Sequence, residues 1–242
     1  MPPARLKRFY KIAAAVKVDG GYHVALDGKP VRTPGGQTLL MASKALAEAL
    51  AAEWQAQGDE LQLARMGLHQ LVCNALDCSA AERARLIDEL AAYGETDLLC
   101  YRTDDPVALA VRQKAAWDPL LDWAAEHYGA RLHATSGIVA VVQDAGALAA
   151  LRARILQADP LQLGALRAAA GIGGSLIVAL AMAEGRLDAA QAWRVVNIDE
   201  DWQREKWGED AQAAANRADA FRAFSHAANM LLLLRGLEAG PF

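Results

Sequence analysis

The hydrophobic period of this chain changes near residue 42, and that change restricts the fold classes open to it. Before it, Val16, Val18, Tyr22, Val24 and Leu26 alternate with polar or small residues. Alternation with a period of two places one face of an extended strand in a core and the other in water. Asp19-Gly20 and Asp27-Gly28 punctuate it with residue pairs that tolerate the positive φ of tight hairpins. "KPVRTPGG" at 29–36 breaks the pattern, and "QTLLM" at 37–41 supplies another short strand. The expected unit is an antiparallel sheet of about three to five strands, marginal alone and dependent on the helices that follow.

From Ser43 the spacing becomes helical. Leu46, Leu50 and Trp54 fall four apart, and Gly58 marks a stop. A second helix is expected over Met66 to Leu76, and "SAAE" at 79–82 reads as a capping box opening a third. Asp105-Pro106 and Asp118-Pro119 each predict a helix start, with proline at the first helical position behind a capping aspartate, and Gly129 closes that region. "GIVAVVQ" at 137–143 is a β-branched island that reads as a lone strand or a buried connection. Further helices are expected over 145–157, 160–170, 174–185, 189–207 and 211–235. In the last, Ala214, Ala218, Phe221, Phe224, Ala228, Leu231 and Leu232 share one stripe with core-facing spacing. Alanine is abundant and β-branched residues are thin, which favours helix. The expected fold is α+β, with a β-rich amino-terminal domain over 1–42 and an α-helical domain over 43–242.

Composition narrows the function classes. A net charge of −4 leaves no basic footprint for nucleic acid or anionic membrane. The apolar run Leu176 to Ala183 is far short of the roughly 20 residues that span a bilayer. The basic opening "MPPARLKRFYK" has neither the hydrophobic stretch nor the cleavage site of a secretory signal. Cys73, Cys78 and Cys100 form no CxxC pair, which suits a reducing cytoplasm.

Signs of catalysis are sparse. His69 and Cys73 stand at i, i+4 with Cys78 five further on, but a zinc site needs three or four converging ligands, and plain packing is the better account. "GIGGS" at 171–175 lacks the preceding strand of a dinucleotide fingerprint and the lysine of a phosphate loop, so it reads as a helix break or a close helix approach. No cofactor and no small-molecule substrate is expected.

The segment "NIDEDWQREKWGED" at 197–210 crowds acids around two tryptophans. At about 100° per residue, Trp193, Val196, Glu200, Gln203 and Trp207 fall on one side of a helix. Val195, Ile198 and Trp202 fall on another, continued by Glu205. The acids therefore disperse, whereas acid–base catalysis needs carboxylates with a shared focus. Three readings stay open: a solvated helix face, an interaction surface with tryptophan anchors beside Glu200, and an enzyme drawing on these acids with others such as Asp97.

Several blocks, in order, resemble one family. "RFYK" near the start, "DGKPVRTP" at 27–34, "AEWQAQGDEL" at 52–61, "ETDLLCYR" at 95–102 leading to "WDPLLDWAAEHYG" at 117–129, and "DEDWQREKWG" at 199–208 are similar to the F1-ATPase assembly chaperones that attend the α subunit. The resemblance runs from about residue 7 to 234. It implies a β domain followed by a helical domain, no catalysis, and a role in holding unassembled α subunit against aggregation until the β subunit associates. Carried over block by block, it implies partner contacts at Glu200, Trp202, Gln203 and Trp207, with Glu53 and Trp54, and adds Asp97, Tyr101 and Arg102. For the last three a structural role is the competing reading, Arg102 bridging an acid such as Asp97 to tie the domains together. A scaffold module with another protein partner is a further alternative. The alanine load suggests an α-proteobacterial cytoplasm, with the mitochondrial matrix as the eukaryotic counterpart.

Overall fold

Both Asp-Gly pairs form hairpin turns. In the computed structural model, which describes residues 6–137 and 141–236, β1 (Ala13–Val18) pairs antiparallel with β2 (Gly21–Leu26) around Asp19-Gly20. The chain then reverses through Asp27-Gly28 into β3 (Lys29–Pro30). Asp27 at φ 47 and Gly28 at φ 82 are both left-handed, as a type I′ turn requires. The Asp27 carboxylate also accepts the backbone N–H of Lys11 at 3.0 Å and Ile12 at 2.9 Å, which pins the entry to β1. β4 (Leu40–Met41) pairs with the start of β2, so β3 and β4 share one edge of β2 and β1 holds the other. A Cβ on Gly21 (φ 148) would lie 2.4 Å from the Met41 carbonyl oxygen, so glycine there permits β4 to close.

The first helix, α1 (Lys44–Gln55), covers the sheet with Leu46, Leu50 and Trp54, all buried. Ser43 caps it and also donates its hydroxyl to the Leu233 carbonyl at 2.5 Å, joining the first helix to the last. The helix ends at Gln55, ahead of Gly58. Then come α2 (Gly67–Leu76) and α3 (Ala80–Ala92), the latter opened by a complete capping box between Ser79 and Glu82. α4 (Val107–Tyr128), α5 (Ala145–Leu156), α6 (Pro160–Gly173) and α7 (Leu176–Ala183) follow, and then α8 (Ala189–Val196), α9 (Ile198–Trp207) and α10 (Ala211–Leu234). Every residue of α7 is buried, packed by α4, α6, α8 and α10. The apolar run too short for a bilayer is thus the central helix, and no described helix is long and apolar enough to cross a membrane. One continuous apolar cluster runs from Tyr10 to Leu233, through sheet and helices.

"GIGGS" is the break between α6 and α7. Gly174, at φ 69, caps α6, and the Ser175 hydroxyl accepts the Val178 N–H to start α7. A Cβ on Gly173 would sit 3.1 Å from the Phe224 ring and 3.2 Å from Val196. Gly173→Ala is expected to cost about 1–2 kcal/mol through overpacking. Chemical denaturation checks it, and an unchanged midpoint contradicts the close approach.

Four expectations need correction. Asp118-Pro119 does not start a helix: Pro119 lies inside α4, and Asp118 is instead held by Arg102. At Asp105-Pro106 the proline is the cap residue rather than the first helical one, and no side chain caps this end. The single helix expected over 189–207 is broken at Asn197 (φ −109, ψ 20), whose side-chain amide donates to the Trp193 carbonyl at 2.9 Å, so the side chain competes for helical hydrogen bonding. In α10 the core-facing stripe holds only from Phe224 onward; Ala214, Ala218 and Phe221 are exposed. Of the island at 137–143, residues 138–140 lie outside the described residues. Just before it, β6 (Thr135–Ser136) pairs parallel with β5 (Tyr101–Arg102).

Candidate functional site

The first turn of α9 carries Asp199, Glu200 and Asp201, and its last turn Arg204 and Lys206, which matches the sign of the helix dipole at both ends. The helix stops at Gly208 (φ 79), and Asp210 caps α10 by accepting the Ala213 N–H at 2.8 Å. Asn197 and Gly208 together set α9 against the exposed half of α10. Between them opens a cleft of about 660 Å³, lined among others by Trp193, Asn197, Glu200, Gln203, Trp207 and Arg217. The line Trp193–Glu200–Gln203–Trp207 read from helical spacing therefore survives the break, whereas Val196 packs toward Gly173.

The acids of the segment turn to different partners, apart from Asp201 and Glu200, which share Arg217. Asp199 accepts a hydrogen bond from the buried Gln113 amide at 2.6 Å, and Gln113 in turn accepts the Thr103 N–H at 2.9 Å. Asp201 binds Arg217 and, at 3.1 Å, Arg204. Glu205 pairs with Arg112 of α4 at 2.8 Å. Glu200 has only a looser contact, 3.5 Å from Arg217, and its side chain is 71% exposed. No common focus for the four carboxylates results.

The tryptophans divide likewise. Trp202 is 8% exposed, with the Arg112 guanidinium 4.7 Å and the Lys206 ammonium 4.8 Å from its ring centre. It locks α9 onto α4 by burial and by cation–π attraction. Trp207 is 78% exposed at the mouth of the cleft. Arg217, largely buried, lies 5.7 Å over Trp193 while neutralising Asp201. Glu200 is left as the outward-facing anion beside a bare indole. Such a surface can take an apolar or cationic side chain of another protein. No local spacing marks Arg217 or Arg112: Arg217 follows Glu200 by 17 residues and meets it only because the chain reverses at Gly208.

The other candidates lie elsewhere. Trp54 is 6% exposed, edge-on to Tyr10 and His69 at ring separations of 5.7 and 5.0 Å. The Glu53 carboxylate accepts the N–H groups of Leu68 (3.1 Å) and His69 (2.8 Å) at the start of α2. Burial pushes its carboxyl above the usual range, against those two hydrogen bonds. Both residues are thus built into the packing of α1 on α2. Asp97 is wholly buried and does not meet Arg102, which corrects that pairing. Instead it accepts the N–H of Leu99 at 3.1 Å and of Ile177 at 3.0 Å, and so caps α7 from a distant part of the chain. Arg102 bonds Asp118 and the Leu99 carbonyl, and Tyr101 beside it is half-buried in β5. Burial pushes the Cys73 thiol, 3.5 Å from His69, up to about 11, so it is not a thiolate at neutral pH. Among the described residues no three His, Cys, Asp or Glu side chains group to hold a metal ion.

Comparison with known proteins adds to this geometry. The profile of a family described as ATP12 chaperone protein matches residues 7–125. The crystal structure of Atp12 from Paracoccus denitrificans is similar with a TM-score of 0.88 and 40% identity, over 95% of this chain and 99% of that one. A crystal structure described as a putative chaperone, Atu1473 from Agrobacterium tumefaciens, is similar with a TM-score of 0.87 and 40% identity, over 93% and 85% of the two chains. The mitochondrial protein atp12 of Schizosaccharomyces pombe is 26% identical over 230 residues, 89% of this chain and 79% of its own length.

Proposed function

Because the chain belongs to the ATP12 chaperone family, we propose that it serves ATP synthase assembly by holding the unassembled α subunit of F1-ATPase until the β subunit associates. In this reading the α9–α10 cleft is the grip. The supporting observation is Trp207, an indole 78% exposed that lines the same cleft as the Glu200 carboxylate. Contact centres are enriched in tryptophan and arginine, and this cleft carries Trp207 and Trp193 beside Arg217. Glu200, Gln203 and Trp207 make direct contact, while Trp202 holds α9 in place from behind. Glu53 and Trp54 act through the packing of α1 and α2. The bacterial structures from Paracoccus and Agrobacterium favour the cytoplasm of an α-proteobacterium as the setting.

Co-expression with the F1 α subunit tests the proposal. The two are expected to co-purify and to separate when β subunit is added, with cross-links mapping to α9 and α10. If α subunit aggregates as fast with the protein as without it, the reading fails. Retention with cross-links confined to other elements would keep the partner and remove the cleft. Trp207→Ala is expected to weaken retention about tenfold. Thermal stability should move within about ±0.5 kcal/mol, because Trp207 buries little.

A further inference from the structure

An aromatic ladder runs from solvent into the sheet end of the core. Phe9, 68% exposed, stands edge-on to Tyr10 at 5.4 Å, and Tyr10 stands edge-on to Trp54 at 5.7 Å. The Tyr10 hydroxyl donates to the Trp54 carbonyl at 2.6 Å, which holds the ladder rigid. Beside it lies a groove of about 500 Å³ whose walls include Phe9, Tyr10, Pro30, Pro34, Trp54 and Leu63. The Trp54 indole N–H is buried and finds no acceptor among the described residues. A buried donor without an acceptor costs free energy unless something supplies one.

The surroundings carry an excess of positive charge. Residues 6–34 hold six basic and two acidic side chains in a chain of net charge −4. Lys29 and Arg32 line the groove and neither is in an ion pair among the described residues. Asp27, the acid lining it, has both oxygens turned to the N–H groups of Lys11 and Ile12. Rigid aromatic and proline walls suit an extended peptide, which loses little entropy on docking there. Acidic side chains of such a peptide match Lys29 and Arg32 on the rim.

We propose that this groove on the β-sheet side, separate from the α9–α10 cleft, is a second peptide-binding site that takes an extended acidic segment carrying an apolar side chain. It stands whether or not the F1 α subunit is the client. The test uses the full chain labelled with nitrogen-15 at tryptophan, with the Trp54 indole signal assigned from Trp54→Phe. One probe is a short synthetic peptide of leucine and glutamate around a central proline, and the other is its lysine-for-glutamate counterpart. The glutamate peptide is expected to move the Trp54 indole N–H resonance saturably. Phe9→Ser with Lys29→Glu should weaken that response about tenfold or more. Glu200→Lys should leave it unchanged. A Trp54 signal that does not move, or that responds equally to the lysine peptide, overturns the proposal. Phe9 and Lys29 are both exposed, so circular dichroism should report an intact fold for the double variant.

Discussion

Asp97→Ala is expected to lower the unfolding free energy by about 2–4 kcal/mol, combining the loss of a helix cap with buried donors left unsatisfied. The size follows from position. Asp97 is wholly buried and caps two elements at once, the short turn Leu98–Cys100 and α7, whose residues are all buried. Truncation strands the N–H groups of Leu99 and Ile177 where no water reaches them. The loss is read as a shift in denaturation midpoint at unchanged slope. A cost below about 1 kcal/mol would mean that these donors find other acceptors.

The same carboxyl makes stability depend on pH. Burial pushes it up to about 6 from 3.8, against the backbone N–H groups and the Ser175 hydroxyl that favour its ionised form. Between those values the folded protein holds a proton that the unfolded chain has released. Its contribution is therefore complete below about pH 4 and is lost as pH rises through about 6, by an amount on the order of 3 kcal/mol. Asp97→Asn cannot titrate. The difference between wild type and Asp97→Asn should thus drift against wild type from pH 4 to pH 7, and parallel stability curves would refute the assignment.

Glu200→Lys is expected to weaken retention of the F1 α subunit about a hundredfold while leaving the fold intact. Glu200 is exposed and its contact with Arg217 is loose, so stability should change by no more than about 1 kcal/mol. Arg217 keeps its partner Asp201. What changes is the sign of the cleft mouth, where Arg204 and Arg217 would be joined by a third cation that repels a basic group on the partner. Glu200→Gln should lie between the two. Equal α-subunit retention by all three proteins removes Glu200 from the grip, and a variant that unfolds assigns it a structural role instead.

Local rules read from sequence worked wherever the deciding physics was local. The Asp-Gly turns, the Ser79–Glu82 capping box, the Leu46–Leu50–Trp54 stripe and the Gly174 stop depend on a few neighbouring residues. So does the amphipathic line that brought Glu200, Gln203 and Trp207 to one side of their helix. The failures share the opposite character. Pro119 reads as a helix start because proline favours that position, yet packing of Trp117, Leu120 and Leu121 carries α4 through it. Helical spacing in α10 suggests one long buried stripe, but its first turns meet α8 and α9 through Phe221 and Arg217, stay largely exposed, and form a wall of the cleft.

Sequence alone therefore determined the α+β class, the family resemblance and those turns and caps that neighbouring residues set, because period, turn chemistry and ordered blocks are local properties. Tertiary structure alone decided which acids are spent and which is left. Asp199, Asp201 and Glu205 are satisfied by Gln113, Arg217 and Arg112, residues 16 to 93 positions away in the chain. Asp97 and Glu200 are both carboxylates, yet one is enclosed by backbone donors and the other stands in water beside Trp207. Burial and partnership are set by which distant segments meet, and no local pattern encodes that.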